Sequence, residues 1–207
     1  MKIKVCGMRD AENIKAVAAL APDYMGFIFY KNSPRFVDEL PAGVLNELPA
    51  TINKVAVFVN EDIETIREII DKYDFDFVQL HGNESPAFCK SLKDDAIVIK
   101  AFGIDKNFDF KQLEKYKNKA DIFLFDTKTS AHGGSGLTFD WNILDKYEME
   151  IPFFLSGGLS PENIKEVKSI THPAFYGVDL NSKFEISPGL KDIEKLEKAF
   201  STIKQSI

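Results

Sequence analysis

Eight short apolar segments, rich in β-branched and aromatic residues, recur along this chain of 207 residues, and amphipathic stretches separate them. Most of the eight are continuous apolar runs rather than alternations of apolar and polar residues, which is typical of parallel strands covered on both faces. The predicted strands are residues 3–6, 24–29, 54–59, 77–80, 96–102, 122–126, 152–156 and 174–178.

The stretches between the strands have helical periodicity and helix start signals. Ser85-Pro86 and Ser160-Pro161 each place a capping hydroxyl before a proline at the first helical position. The predicted helices are residues 10–20, 38–48, 61–73, 85–93, 107–118, 140–147, 161–169 and 190–205.

This order predicts an α/β protein, a single (β/α)8 TIM barrel that occupies residues 1–207 as one domain. A doubly wound open sheet is the competing fold. It would usually show about five or six strands and a glycine-rich phosphate fingerprint after the first strand. The segment VCGMRD after the first strand is not that fingerprint.

The composition excludes several classes of function. The net charge of −6 is spread over mixed-sign helices without a basic stripe, so nucleic acid is not an expected partner. No apolar run has the length of a membrane span, and the N-terminus lacks a secretory pattern, so we expect a cytoplasmic protein. Cys6 and Cys89 form no disulfide or metal pattern, and His81, His132 and His172 show no ligand spacing, so no metal is expected.

Reactive residue types stand where several predicted strands end. Cys6 ends the first strand, His81 follows the fourth, and Asp126 ends the sixth; Arg35 lies in loop 30–37 after the second. Because the carboxyl ends of barrel strands form one face, we expect these side chains to share that face. Each also has an ordinary structural explanation, such as a small buried side chain for Cys6 or a turn for Asp126.

Two neighbouring loops have the features of an anion site. Gly157-Gly158 follows the seventh strand, and the segment 179–182 follows the eighth. In this fold the loops after these two strands commonly bind phosphate through backbone N–H groups. The long glycine-rich loop 127–138 after the sixth strand is predicted to be a mobile cover over the site.

Several motifs, in order and in register with all eight units, resemble the phosphoribosylanthranilate isomerase family. They are KVCGM, NSPRFV, VQLHGNE, LFDT with GGSGLTFDW, LSGGLSPENI, and YGVDLNS with SPGLKD. The resemblance implies a (β/α)8 barrel that catalyses an Amadori rearrangement in tryptophan biosynthesis. The reaction converts N-(5-phosphoribosyl)anthranilate to 1-(2-carboxyphenylamino)-1-deoxyribulose 5-phosphate and needs no cofactor.

The resemblance also implies roles for individual residues. Cys6 matches the general base, Asp126 the general acid, and Arg35 the residue that binds the anthranilate carboxylate. The other residues expected to bind the phosphosugar substrate are His81, Gly157, Gly158, Asp179, Asn181 and Ser182. A free thiol is mostly protonated at pH 7, so we expect nearby charge or N–H donors to activate Cys6. The protein is expected to be a monomer or a homodimer.

One departure from the family pattern lies after the eighth strand, where Lys183 replaces the usual glycine. A lysine there would be strained if the backbone keeps a positive φ. Three other functions are alternatives: another phosphosugar isomerase or epimerase, a phosphosugar-binding protein without catalysis, and a redox sensor based on Cys6. Retention of both Cys6 and Asp126 argues against the loss of catalysis, and Cys89 is poorly placed to act as a resolving cysteine.

Overall fold

The computed structural model describes residues 1–40, 43–127 and 140–205. Eight parallel strands close into a barrel in sequence order, which confirms the predicted fold. The barrel strands are β1 (Lys2–Cys6), β2 (Tyr24–Ile28), β3 (Asn53–Phe58), β4 (Phe77–Leu80), β5 (Ile97–Ile104), β6 (Ile122–Thr127), β7 (Phe153–Leu155) and β8 (Phe175–Leu180).

In the described part of the chain, four α-helices pack outside the barrel. They are α1 (Ala11–Ala19), α2 (Ile63–Tyr73), α3 (Pro86–Ser91) and α4 (Ile193–Lys204). Each begins after a side chain that accepts a hydrogen bond from the backbone three residues later, and these capping residues are Asp10, Asp62, Ser85 and Asp192. Such caps satisfy N–H groups that have no partner within the helix, so the sequence positions of these residues determine where the helices start.

Three predicted α-helices are instead short 3₁₀ helices: Phe110–Tyr116, Trp141–Lys146 and Ile164–Ser169. Asp109 and Asp140 accept from the backbone N–H only two residues ahead, a tight local geometry that favours 3₁₀ turns over a full α-turn. The predictions for 107–118, 140–147 and 161–169 therefore located the helices correctly but gave the wrong helix type.

Two further predictions were wrong in part. The described residues of segment 38–48 form turns rather than a helix, and Gly43 has a φ of +83° that an α-helix cannot contain. The last helix begins at Ile193 rather than residue 190, because β9 (Glu185–Ser187) and β10 (Leu190–Lys191) pair in a small antiparallel sheet. Apart from Thr127, the loop 127–138 lies outside the described residues.

The barrel interior is mainly apolar but admits a few polar side chains. Its apolar part contains Cys6, Tyr24, Val55, Val57, Phe77, Ile99, Ala101, Ile122, Leu124 and Phe154. Lys4 enters the same interior because side chains two apart on a strand share a face. A register shift on β8, opposite Phe153 and Phe154, allows both Tyr176 and Asp179 to face inward although their positions differ by an odd number.

None of the helices among the described residues is both long enough and apolar enough to cross a membrane.

Candidate active site

A cavity of about 260 Å³ opens at the carboxyl ends of the barrel strands. All the residues predicted to form the site line it: Cys6, Arg35, His81, Asp126, Gly157, Gly158, Asp179, Asn181 and Ser182. The structure therefore brings together side chains from six different strand ends, while their chemical roles remain predictions.

Cys6 reaches this cavity from the last position of β1 and is 3% exposed. It pairs with Gly26 on β2, where a Cβ atom would lie only 2.6 Å from the Cys6 Sγ. Glycine at position 26 therefore provides the space that the thiol occupies. Burial raises the pKa of Cys6, although the neighbouring Lys4 opposes this effect.

Lys4 and Asp179 form a buried ion pair beneath Cys6. The Lys4 Nζ lies 3.0 Å from the Asp179 Oδ1, and the two side chains are 0% and 4% exposed. Burial raises the pKa of Asp179, and the Lys4 ammonium counteracts this rise. The carboxylate of Asp179 is thus directed to a cation inside the barrel, so any contact of this residue with a phosphate would have to use its backbone.

Asp126 is the last inward-facing residue of β6, and two neighbouring groups hydrogen-bond its carboxylate. Its Oδ1 accepts from the Thr127 backbone N–H at 2.8 Å, and its Oδ2 lies 3.2 Å from His81 Nε2. The Gln79 Nε2 lies 2.8 Å from His81 Nδ1. With the Gln79 amide nitrogen as the donor to Nδ1, the Nε2–H of His81 faces Asp126.

The loop that carries His81 is fixed from outside the barrel. Lys100 Nζ donates to the carbonyls of Leu80 and Gly82 at 3.1 and 2.9 Å and pairs with Glu84 at 3.1 Å. Glu84 also accepts from the backbone N–H groups of Asn60 and Gly82. This pair therefore joins the loops after β3 and β4.

Gly157 and Gly158 follow β7 with φ values of +79° and +67°. At Gly157 a Cβ atom would collide with the backbone nitrogen of Thr127 and with the Asp126 carboxylate, so a larger residue would displace the predicted acid. Among the described residues, no hydrogen bond uses the N–H groups of these two glycines. They are therefore available to a ligand in the cavity.

Arg35 lies at the rim of the cavity with its guanidinium held by Glu185. Its Nε is 2.9 Å from Glu185 Oε1, and one terminal nitrogen is 2.7 Å from Oε2. Lys191 Nζ donates to both Glu185 Oε1 at 2.7 Å and Asn181 Oδ1 at 2.8 Å. Burial would raise the pKa of Glu185, but the hydrogen bond from Arg35 and the charge of Lys191 hold it below its usual range.

Four residues of this arrangement were missed by the sequence analysis: Lys4, Gln79, Glu185 and Lys191. Lys4 and Gln79 are polar residues inside otherwise apolar strand segments. Lys4 shares a strand face with Cys6, and Gln79 is close to His81 in the sequence. That signal could have identified them. Glu185 and Lys191 depend on the β9–β10 pairing, which has no comparable signal.

Within the described parts of the chain, no group of three or more His, Cys, Asp or Glu residues could hold a metal ion.

Comparison with known proteins agrees with this geometry. A family model for N-(5'phosphoribosyl)anthranilate (PRA) isomerase matches residues 3–202. The N-(5'-phosphoribosyl)anthranilate isomerase of Parabacteroides distasonis is 49% identical over 206 residues, which cover 98% of this chain and 93% of that protein. The chain belongs to the PRA isomerase family.

Solved PRA isomerases share the whole fold of this chain. The Thermotoga maritima enzyme superposes with a TM-score of 0.86 at 33% identity and covers 99% of this chain and 98% of its own. A PRA isomerase in complex with reduced 1-(o-carboxyphenylamino)-1-deoxyribulose 5-phosphate superposes with a TM-score of 0.84 at 30% identity, with coverage of 99% and 98%.

The unusual lysine of this PRA isomerase is accommodated without strain. Lys183 lies in the short 3₁₀ helix Ser182–Phe184, is exposed, and is not among the described residues with positive φ. Phe184 is completely buried next to it. The loop after β8 therefore follows a course that any residue can adopt at position 183.

Proposed function

We propose that this PRA isomerase catalyses the cofactor-free Amadori rearrangement of N-(5-phosphoribosyl)anthranilate to 1-(2-carboxyphenylamino)-1-deoxyribulose 5-phosphate in tryptophan biosynthesis. The observation that carries the proposal is that one cavity contains a thiol, a carboxyl group and a two-glycine loop. The related PRA isomerase bound to a reduced form of the product supports the choice of ligand.

The phosphate is proposed to bind between the loops after β7 and β8. The N–H groups of Gly157 and Gly158, which bond to no other described residue, supply donors, and Asn181 and Ser182 line the same cavity. Backbone N–H groups in positive-φ turns form concave anion sites. The Lys191 ammonium, bonded to the Asn181 side chain, adds a nearby positive charge.

The anthranilate carboxylate is proposed to bind Arg35. Glu185 occupies one edge of the guanidinium and leaves the other terminal nitrogen for a second carboxylate. With Lys191 included, the cluster of Arg35, Glu185 and Lys191 carries one net positive charge, which matches one carboxylate. A fixed guanidinium also loses little conformational freedom when it binds the substrate.

The reaction is proposed to begin with proton donation from Asp126 to the ring oxygen of the ribose. The C1–O bond breaks, and the substrate nitrogen supplies the electron pair that forms an iminium. The carboxylate that remains on Asp126 is stabilised by the hydrogen bonds from the Thr127 N–H and His81.

Cys6 is then proposed to remove the proton from C2 of the ribose as a thiolate. The C–H electron pair forms the C1–C2 double bond of an enol-amine and neutralises the iminium. The Cys6 thiol then returns its proton to C1, and the C2 hydroxyl passes its proton to the Asp126 carboxylate, which gives the 2-ketone and restores both groups. Because the iminium already withdraws electrons, the substrate performs the task for which other enzymes need a cofactor. All proposed groups come from one chain, so the site is complete in a monomer whether or not the protein dimerises.

The test is conversion of N-(5-phosphoribosyl)anthranilate by the purified protein, with the product separated by chromatography, with and without a chelator. We expect conversion that the chelator does not change and a loss of about 10²–10⁴-fold in Asp126→Asn. Asp62→Asn is the matched control, since asparagine caps α2 as well as aspartate does. A parent protein that binds the compound but never converts it would overturn the proposal.

A further inference from the structure

Lys4 is a completely buried lysine in the interior of the barrel, two residues before the proposed base. It lies on the same face of β1 as Cys6, so both side chains point into the barrel with the thiol nearer the cavity. A buried lysine is costly, because its ammonium loses its hydration, and such a residue needs partners that compensate.

The partners of Lys4 lie on two neighbouring strands. Its Nζ donates to the Asp179 Oδ1 on β8 at 3.0 Å, and its charge acts on the Cys6 side chain on β1. An ammonium group has three donors, so the hydrogen bond to Asp179 leaves two donors on Lys4. The interior of the barrel therefore contains a row of three interacting polar groups, Cys6, Lys4 and Asp179.

The charge of Lys4 is maintained at this position. Burial alone would lower the pKa of Lys4, but the charges and hydrogen bonds of Asp179 and Cys6 outweigh it and raise the pKa above its usual value. The ammonium form of Lys4 is therefore favoured beneath the thiol. A permanent cation beside a cysteine stabilises the thiolate.

The other charges around Cys6 act in both directions. Asp179 raises the pKa of the thiol, and Lys191 on β10 lowers it. Among the described residues, the charged or titratable groups that act on Cys6 or share its cavity are Lys4 on β1, Tyr30 and Arg35 after β2, His81 after β4, Asp126 on β6, Asp179 on β8 and Lys191 on β10. Of the two lysines, Lys4 lowers the pKa of the thiol more than Lys191 does.

We propose that Lys4 is a positioning residue for the reaction: its ammonium, fixed by Asp179 on the same strand face as Cys6, stabilises the thiolate that removes the substrate proton. The inference rests on the proposed role of Cys6. It adds that the base is activated from inside the barrel, by a residue that the substrate does not touch. When Cys6 takes the proton it becomes a neutral thiol, and Lys4 stays charged against Asp179.

The test measures thiol ionisation directly and requires no substrate. The folded protein is treated briefly with iodoacetamide over a pH series, digested, and analysed by mass spectrometry to give the alkylation rate of each cysteine. Cys89 is an internal reference for the parent and for Lys4→Met, since burial raises its pKa to about 11 and the charges that act on it are those of Lys100 and Glu84 rather than that of Lys4. In Lys4→Met we expect the Cys6 midpoint to move up by about one pH unit or more, with alkylation at least about tenfold slower below the midpoint.

Lys100→Met is the matched control. Lys100 is also buried and paired with a buried carboxylate, but it packs outside the barrel and leaves Cys6 untouched. The Cys6 midpoint should therefore stay at the parent value in this variant. A folded Lys4→Met protein with the parent midpoint would overturn the proposal, as would an equal upward movement in Lys100→Met.

Asp179→Asn keeps the proposal testable if Lys4→Met does not fold. Removing the carboxylate leaves the Lys4 charge facing Cys6 alone, so the Cys6 midpoint should fall, and an unchanged or higher midpoint would count against the proposal. Because alkylation does not depend on turnover, a protein that fails to convert N-(5-phosphoribosyl)anthranilate would contradict the proposed function without deciding the role of Lys4.

Discussion

Two buried lysines of this barrel, Lys4 and Lys100, look alike in sequence and differ in what they face. Each lies within an apolar strand, is almost inaccessible, and pairs with a buried carboxylate, Asp179 for Lys4 and Glu84 for Lys100. Lys4 faces the barrel interior on the same strand face as Cys6. Lys100 faces outward and binds the carbonyls of Leu80 and Gly82, which fixes a loop.

The difference follows from the alternation of side chains along a strand. Lys4 has the same parity as Cys6, whereas Lys100 lies between Ile99 and Ala101, which both point inward. The balance of charges differs as well. Burial lowers the pKa of Lys100 despite its partner Glu84, whereas the partners of Lys4 raise its pKa. A lysine at an inward-facing strand position thus acts on the site, whereas a lysine at an outward-facing strand position stabilises the fold.

The largest effect should come from comparing turnover in Lys4→Met and Lys100→Met. We expect kcat to fall by about 10²–10³-fold in Lys4→Met, because the thiolate loses its preorganised charge. Turnover of Lys100→Met, assayed well below its unfolding temperature, should stay within a few-fold of the parent. Equal losses of kcat in two folded variants would remove the distinction between the lysines.

The free energy of unfolding should show the structural role of the Lys100–Glu84 pair. Lys100→Met leaves the Glu84 carboxylate buried without its cation, so the free energy of unfolding should fall by about 3–5 kcal/mol in urea denaturation. The double variant Lys100→Met/Glu84→Gln should recover part of this loss, since the uncompensated charge is gone. A single variant within about 1 kcal/mol of the parent would contradict the assignment.

Lys191 gives the comparison a third case, a buried lysine at the rim whose partner Glu185 also holds Arg35. The pKa of Glu185 is lowered in the folded protein, so its stabilising effect is present above the unfolded value near 4.5 and is lost as the pH falls through the lower folded value. Unfolding measured between pH 6 and 3 should therefore depend less steeply on pH in Glu185→Gln. The same variant should raise KM by about tenfold with little change in kcat, because Arg35 is less well fixed. A parent-like acid dependence would contradict this account of Glu185.

The smallest effect is expected for Lys2, which shares a strand face with Lys4 but is about half exposed. Its pair with Asp23, at 2.7 Å, lies in solvent at the other end of β1. Lys2→Met should change the free energy of unfolding by less than about 1 kcal/mol and leave kcat unchanged. A loss comparable to that of Lys4→Met would show that burial is not what distinguishes the two positions.

Much of the fold could be predicted from the sequence because apolar runs identify buried parallel strands directly. All eight barrel strands were predicted within a few residues. The outer layer was harder, since the same helical periodicity fits α-helices and 3₁₀ helices and only local contacts such as the Asp109 side chain favour the tighter turn. The β9–β10 pairing could not be predicted, because two- and three-residue strands leave no pattern.

The candidate site was predictable where residues occupy strand ends, and less so where they act through others. Cys6 and Asp126 stand at positions that the barrel assigns to chemistry. Glu185 and Lys191 reach the site through the short sheet after β8, and Lys4 reaches it from within the strand. The sequence shows Lys4 two residues before Cys6, but only the register between β1 and β8 shows that Asp179 lies beside Lys4.

The claim at the centre of this account is that Cys6 removes the proton from C2 of the ribose. The most direct measurement is single-turnover conversion of substrate with hydrogen or deuterium at C2, by the parent protein and by Cys6→Ser, with Cys89→Ser as control. We predict that deuterium slows the parent, that Cys6→Ser is slower by about 10²–10⁴-fold, and that the control behaves as the parent. Conversion by Cys6→Ser at the parent rate would contradict the claim.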